Sequence, residues 1–236
     1  MLLYCANPST GRIRAKMASG HLAAIMSKIQ GNALPGDALF CIDNNCGPGK
    51  DGKPGTGYPG DNAYLAYLHK LAALDGVDPC DPDTSRCLFA AAPDVLCDAA
   101  ATLRRSRLWL PEIRYEIGLP PALVAQNGLE DILAAMSHRE LDEFWSGFDT
   151  LFLGGDDAWK LGPAAAALTA EAHRRSKWVH MGRVNTRQRF RYAACIGCDS
   201  ADGTGMTRGP DKNLAKMLAW LREIDTQFVL FGEERP

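Results

Sequence analysis

The chain has 236 residues, of which 46% are hydrophobic, and its formal net charge is −2 at pH 7. This length and apolar content suffice for one large domain with its own core, and the near-neutral charge provides no overall basic field for a nucleic-acid partner, although local basic clusters can still serve one. No apolar stretch approaches the roughly 20 residues of a membrane span, and the N-terminus lacks a signal-peptide pattern, so we expect a cytoplasmic protein with no membrane partner.

Short apolar runs alternate with amphipathic stretches along the chain. The expected strands are Leu2–Cys5, Ala38–Ile42, Cys87–Ala91, Ala122–Ala125, Thr150–Leu153, Trp178–Met181, Cys195–Asp199 and Gln227–Phe231. The expected helices are Gly20–Ile29, Asp61–Leu74, Val95–Arg107, Leu129–Met136, Ala164–Arg175, Thr186–Ala194 and Asn213–Ile224. Eight strands that alternate with helices in this length predict a compact (β/α)8 TIM barrel, an α/β fold, as one domain over residues 1–236. A doubly wound open sheet is the alternative.

Polar residues follow nearly every apolar run, where a (β/α)8 barrel carries its reactive groups. They are Asn7, Asp43, Asn44, Asn45, Asp94, Gln126, Asn127, Gly154, Gly155, Asp156, Asp157, His180, Asp199 and Asp202. Two separated carboxylates at strand ends can serve as nucleophile and acid–base group in glycosyl transfer. Asp and Gln side chains and the N–H groups of a Gly-Gly turn can read the edge of a flat polar heterocycle, and a Met can pack on its face.

Plainer interpretations of the same residues remain open. Asp156, Asp157 and Asp94 can cap the helices that follow them. His180 can be a hydrogen-bonded structural histidine, and Met181 can be ordinary core filler. Within the C-x-x-C pair, Cys195 and Cys198 can be structural thiols, half of a zinc site or a redox pair, and the pattern favours structural thiols because no second ligand pair follows.

Two further features concern anions. The segment 46–60 contains six glycines and three prolines, so it is a surface loop or a lid in which Lys50 and Lys53 could meet phosphates. Basic residues also cluster on the expected helices, either as solvated faces or as contacts to a nucleic-acid backbone. The residues favoured for backbone contact, because they follow expected strand ends, are Arg183, Arg187 and Arg208.

The segment from Gly197 to Arg208 reads GCDSADGTGMTR. It is similar to the motif G-[IV]-D-M-F-D-C-V-x-P-T-R of the tRNA-guanine transglycosylase superfamily, and in particular to the small phage and bacterial members that insert 7-deazaguanines into DNA. The glycine, both aspartates and the final Thr-Arg keep their register. This resemblance implies that Asp202 is the nucleophile and, through the similarity of His180-Met181-Gly182 to the family's L-M-G segment, that Met181 stacks on the base.

The resemblance extends more weakly to other strand ends. It implies Asp43 as the acid–base group, and it implies base-edge recognition by Asp94, Gln126 and the backbone of Gly154 and Gly155, with His180 beside them. The chain lacks the C-x-C-x-x-C…H zinc site of the tRNA enzymes. We therefore expect no structural metal and no cofactor, and DNA as the substrate in preference to tRNA.

The implied reaction replaces guanine in DNA with a free 7-deazapurine base of the preQ0 type, through a covalent aspartyl-sugar intermediate. Three alternatives stay open at this point. They are a tRNA-guanine transglycosylase, a small-molecule nucleoside hydrolase or deoxyribosyltransferase, and a non-catalytic barrel that binds nucleic acid.

Overall fold

Eight parallel strands close into a barrel in which every strand pairs with its neighbours in the sequence. A computed structural model describes residues 2–47, 55–78, 85–206 and 209–231. The strands are β1 (Leu3–Ala6), β2 (Ala23–Ser27), β3 (Phe40–Asp43), β4 (Cys87–Ala91), β5 (Pro121–Ala125), β6 (Thr150–Leu153), β7 (Trp178–Met181) and β8 (Ser200–Asp202). The barrel closes between β1 and β8, where Cys5 is in register with Asp202. The predicted (β/α)8 TIM barrel is therefore confirmed.

Helices surround this barrel. They are α1 (Gly11–Ala18), α2 (Asp61–Asp75), α3 (Ala99–Pro111), α4 (Leu129–Ala134), α5 (His138–Ser146), α6 (Asp157–Lys160), α7 (Pro163–Arg174), α8 (Arg187–Cys195) and α9 (Pro210–Phe231). A π-helical turn, Glu112–Glu116, continues α3, and a 3₁₀ turn, Thr204–Met206, follows β8. Several helices begin where a side chain accepts a hydrogen bond from the first turn; Ser137 and Glu140, for example, form a capping box at α5.

The strands divide their side chains between two layers. Inward-facing residues, such as Cys5, Ile25, Cys41 and Phe89, fill the barrel. Outward-facing residues join the helices in the larger core, so both faces of the sheet are buried. Burial on both faces explains why the strands read as nearly continuous apolar runs.

Three predicted elements differ from the structure. The stretch Gly20–Ile29, expected as a helix, contains β2, because a short buried apolar run has no periodicity that separates strand from helix. The stretch Gln227–Phe231, expected as a strand, is the end of α9. The stretch Cys195–Asp199, expected as a strand, contains the last residue of α8 and the residues that follow it, and the eighth strand is Ser200–Asp202.

In the part of the chain that the structure describes, none of the helices combines the length and the apolar character that crossing a membrane requires.

Candidate active site

A cavity of about 990 Å³ opens at the carboxyl ends of the strands. Its polar lining comes from five strand ends and includes Asp43, Asn44, Asp94, Gln126, Arg183 and Asp202. The volume lies within the range of small-molecule sites, and this end of a TIM barrel is where its enzymes carry their chemistry. The topology thus brings together five of the predicted side chains, namely Asp43, Asp94, Gln126, Arg183 and Asp202.

Asp43 is the last residue of β3 and lies in the cavity wall. Its two carboxylate oxygens accept hydrogen bonds from the backbone N–H (3.1 Å) and the side-chain amide (3.3 Å) of Asn45. Burial, followed by the negative charge of Asp202, raises the pKa of Asp43 to about 6 from an ordinary value of 3.8. A carboxyl group with this pKa exchanges a proton near neutral pH, as acid–base catalysis requires.

Asp94 belongs to a closed hydrogen-bond network. Its Oδ1 accepts from Asn44 (2.9 Å) and its Oδ2 accepts from Nε2 of Gln126 (2.6 Å), while Oε1 of Gln126 accepts from the backbone of Cys97. Burial raises the pKa of Asp94 despite these bonds. The helix that follows is capped by Asp98 instead, so the interpretation of Asp94 as a helix cap is wrong.

His180 points into the barrel beneath the cavity. Its ring is stacked on Phe152, with centroids 4.6 Å apart, and its Nε2 lies 3.0 Å from Oδ1 of Asp202. Burial lowers the pKa of His180, but hydrogen bonds to Asp202 and Cys5 raise it by more, to about 9. The ring is therefore an imidazolium at neutral pH, and its Nδ1 donates to Oγ of Ser200 (2.8 Å).

Two cysteines complete this buried layer. Cys5 and Cys41 both face the barrel interior. The hydrogen bond from Cys41 lowers the pKa of Cys5, and the contact with His180 lowers it further. Burial acts in the opposite direction but does not cancel these effects. Their apolar neighbours in the sequence concealed this polar role, since the partner histidine comes from β7, which is distant in the sequence.

Met181 and the glycine pair occupy different surroundings from those expected. Met181 is fully buried in the core between sheet and helices, because it alternates with the inward-facing His180, and it is not among the described residues that line the cavity. Gly154 lines the cavity. A Cβ at Gly155 would lie 2.3 Å from the Trp159 ring, and one at Gly154 would lie 2.6 Å from Val124, so close packing requires both glycines.

The expected basic residues separate into three groups. Arg183 lines the cavity. Arg187 is more than half exposed and forms an ion pair with Glu223 of α9, with N–O distances of 2.7 and 2.8 Å. Lys50, Lys53 and Arg208 lie outside the described residues. A further basic residue, Lys160, was not indicated by the sequence; it is fully buried, and Arg183 and Asp202 both influence its pKa.

No group of three or more His, Cys, Asp or Glu side chains is arranged to hold a metal ion within the described ranges. In the C-x-x-C pair, Cys195 is exposed and Cys198 is buried.

Comparisons with known proteins address the fold. No protein-family model matches the sequence, and no curated protein matches it significantly. Among solved structures, the chain is similar to 3-hexulose-6-phosphate synthase from Salmonella typhimurium, with a TM-score of 0.50 over 96% of this chain and 99% of that chain. The two sequences are 15% identical, so this similarity concerns the TIM-barrel fold alone.

The expected membership of the tRNA-guanine transglycosylase superfamily is wrong. The solved structure that the chain resembles is a synthase from a different TIM-barrel family, and no comparison supports the transglycosylases. The exchange of guanine for a 7-deazaguanine in DNA or tRNA is accordingly withdrawn, and the three alternatives gain no support.

Part of the misleading motif has a structural explanation. Gly197 follows the end of α8 with φ of +95°, the position where a glycine commonly terminates a helix. Asp199 lies at the amino-terminal end of β8, where its Oδ2 accepts from the backbone of Val179 (2.8 Å) and lies 3.1 Å from Nε2 of His173. Gly197 therefore terminates α8, and Asp199 connects the start of β8 to β7 and α7, so both matching residues have structural roles.

Proposed function

We propose that this chain is an enzyme that catalyses proton transfer on a small, hydrogen-bonding substrate bound in the cavity. The observation that carries the proposal is the pair Asp43 and Asp202, two carboxyl groups on the wall of one cavity in different environments. Asp202 contacts the His180 ring, whereas Asp43 accepts hydrogen bonds from Asn45, so the two carboxyl groups can take the different roles of base and acid.

Asp43 is the acid of this pair. With a pKa of about 6, Asp43 is half protonated near pH 6 and about a tenth protonated at pH 7, so it can protonate a substrate oxygen that develops negative charge. Its hydrogen bonds come from Asn45, a residue held at φ of +59°. A non-glycine residue in this conformation stores backbone strain, a common feature of residues that hold catalytic groups in position.

Asp202 is the base. The His180 imidazolium, which contacts Oδ1 at 3.0 Å, stabilises the negative charge of Asp202 and orients its carboxylate. A hydrogen on a substrate carbon that carries a hydroxyl group and lies beside a carbonyl can pass to this carboxylate while Asp43 protonates the carbonyl oxygen, which gives an enediol. Asp202 then returns the proton to the former carbonyl carbon while Asp43 takes the proton of the other hydroxyl group, so both carboxyl groups are restored and the reaction class is an isomerisation through an enediol.

The opposite wall suits recognition of a polar substrate. Asp94, Asn44 and Gln126 are already hydrogen-bonded to one another, so their orientations are determined before a substrate enters. A preorganised wall of this kind selects hydroxyl, amide or carbonyl groups at low entropic cost. The similarity to 3-hexulose-6-phosphate synthase concerns the fold alone, and its only use here is as a reason to include a phosphorylated hydroxyketone among the compounds tested.

The test follows hydrogen exchange from solvent. We would incubate the protein in D₂O with a panel of hydroxyketones, hydroxyaldehydes, hydroxy acids and their phosphate esters, and detect deuterium at carbon by NMR. Asp43→Asn and Asp202→Asn should each reduce exchange of an active compound by about 100-fold or more. Asp142→Asn, which changes an exposed carboxylate on α5, is the matched control and should retain full exchange. Exchange that persists at the wild-type rate in Asp43→Asn would overturn the proposal.

A further inference from the structure

We propose that the substrate carries an anionic group, a phosphate ester or a carboxylate, that binds to Arg183 after β7, with the buried ammonium group of Lys160 adding positive charge behind it. The inference rests on the proposed function, because it specifies part of the substrate of the same cavity. Four observations support it.

The first observation is that Arg183 lacks a carboxylate partner among the described residues. Two other arginines of the same segment do have carboxylate partners: Arg187 pairs with Glu223, and Arg189 pairs with Asp157 at 2.6 Å. Arg183 instead lines the cavity, and its Nη2 lies 3.0 Å from the position that a Cβ on Gly47 would take. Its guanidinium thus reaches towards the loop after β3 with its charge available to a ligand.

The second observation is the backbone of Arg183. Its φ is +63°, in the left-handed region that non-glycine residues seldom adopt. Two contacts hold this conformation: its carbonyl accepts from Nη1 of Arg189 (3.2 Å), and the N–H of Val184 donates to the carbonyl of Asp202. Strain that the surrounding structure maintains is characteristic of ligand-binding positions.

The third observation concerns Lys160, on α6. Its side chain is 1% exposed, and its Nζ makes no hydrogen bond within the described part of the chain. The nearest carboxylate, Asp157, lies 3.8 Å away and is already paired with Arg189. A buried ammonium group with unsatisfied donors is costly unless an anion is present for part of the functional cycle.

The fourth observation is that these charges lie close together and leave space. Burial, followed by the positive charge of Arg183, lowers the pKa of Lys160 to about 8. Lys160 and Arg189 share one carboxylate, Asp157, and Arg189 also contacts the carbonyl of Arg183, which lines the cavity together with Gly154 and Gly182. An excess of positive charge in a partly buried site is the electrostatic complement of an anionic group, and a guanidinium can bind phosphate or carboxylate oxygens in a bidentate manner.

The test measures binding of inorganic phosphate and of acetate to the full chain by amide chemical shifts at pH 7. Phosphate or acetate should shift the resonances of Gly154 and Gly182. Arg183→Gln and Lys160→Met should each weaken binding at least fivefold, and Arg187→Gln, a matched arginine on the same segment, should leave it unchanged. Tighter binding of phosphate assigns a phosphate ester, and tighter or equal binding of acetate assigns a carboxylate. Wild-type affinity in Arg183→Gln would overturn the inference.

Two further arms separate the remaining explanations. Sulfate keeps a constant charge between pH 6 and 10. Because Lys160 loses its charge near pH 8, sulfate should bind the wild type more weakly as the pH rises through 8, and Lys160→Met should lack this pH dependence. If a DNA oligonucleotide binds to the protein, and Arg183→Gln and Arg187→Gln weaken this binding equally, the basic residues form a surface for polyanions and the inference is overturned.

Asp43→Asn separates the inference from the proposed function, because it should abolish exchange of substrate hydrogen while phosphate still binds. Phosphate binding together with undiminished exchange in Asp43→Asn would contradict the function and retain the anion site. Loss of exchange in Asp43→Asn without any phosphate or acetate binding to the wild type would retain the function and overturn the anion site.

Discussion

His180 donates a hydrogen bond from Nε2 to Oδ1 of Asp202 over 3.0 Å, from a ring that is completely buried between Phe89 and Phe152. The two residues come from adjacent strands, and the register that pairs His180 with Ser200 directs both side chains into the barrel. Ser200 also accepts from Nε1 of Trp178 (2.8 Å), so both ring nitrogens of His180 have partners. A positive charge is therefore held directly beneath the cavity.

Replacement of Asp202 should lower the pKa of His180. In Asp202→Asn, the hydrogen bond to a carboxylate is lost while burial still lowers the pKa and Cys5 still raises it, so the pKa of His180 should fall from its value of about 9. Ring ¹⁵N shifts followed over pH 4–10 would measure this. Asp199→Asn is the control, because Asp199 contacts a different histidine, His173, and should leave His180 unchanged. A His180 pKa that stays near 9 in Asp202→Asn would contradict the ion pair.

Asp43 should make the stability of the protein depend on pH. The folded-state pKa is raised from 3.8 to about 6, so the folded state binds the proton more tightly than the unfolded chain. The stability that this residue contributes is fully present below pH 3.8 and is lost as the pH rises through 6.

Asp43→Asn, which is neutral at every pH, should therefore be more stable than the wild type by about 1–3 kcal/mol at pH 7.5 and nearly equal to it at pH 4. Urea unfolding at both pH values is the measurement, with Asp142→Asn as an exposed control. A stability difference that is the same at both pH values would show that Asp43 titrates normally.

Lys160 should reduce stability where it is charged. Its folded-state pKa is lowered from 10.5 to about 8, so the penalty is present below pH 8 and disappears as the pH approaches 10.5. Lys160→Met keeps the volume and removes an ammonium group without hydrogen-bond partners in the described part of the chain, so it should stabilise the protein by about 1–3 kcal/mol at pH 7 and by less at pH 10. Denaturant unfolding at the two pH values would measure the difference. Destabilisation at pH 7 would mean that Lys160 is satisfied in the folded protein.

Gly155 should tolerate no side chain. A Cβ there would lie 2.3 Å from the ring of Trp159 and 3.0 Å from Oδ1 of Asn127, so Gly155→Ala must displace α6 and should cost about 1–3 kcal/mol. Gly11, in α1, has no atom within 4 Å of the position that a Cβ would take and has a negative φ, which makes Gly11→Ala the matched control. That control should be neutral or stabilise by up to about 1 kcal/mol. Thermal unfolding of both variants would check the prediction, and equal stabilities would contradict it.

Sequence patterns predicted the fold class better than the individual elements. The expected runs at β3 through β7 lie within two residues of the observed strands, because each is short, apolar and bounded by turn residues. The total of eight strands nevertheless arose from two compensating errors. The sequence pattern predicts a helix where β2 lies and a strand at the end of α9, since a short apolar run carries no clear period.

The candidate site was partly visible in the sequence. Asp43, Asp94, Gln126 and Asp202 all follow apolar runs, and parallel strands bring their carboxyl ends to one side, so their convergence could be anticipated. Function could not be inferred in the same way. The motif around Asp202 includes residues with structural roles, such as Gly197 and Asp199, and its resemblance to a family was misleading.

The sequence by itself determined the alternation of strand and helix, and with it the barrel and the end of the barrel that carries the polar residues, because both follow from local periodicity and chain direction. Only the tertiary structure decided which way each side chain points and which charges meet. His180 faces the cavity floor while Met181 faces the helices, and Lys160 is buried near Arg183 without a hydrogen-bond partner among the described residues. The physical reason is that side chains along a strand point alternately into and out of the barrel, so a shift of one residue reverses them. Contacts between distant segments depend on the register of the strands, which a local sequence pattern does not specify.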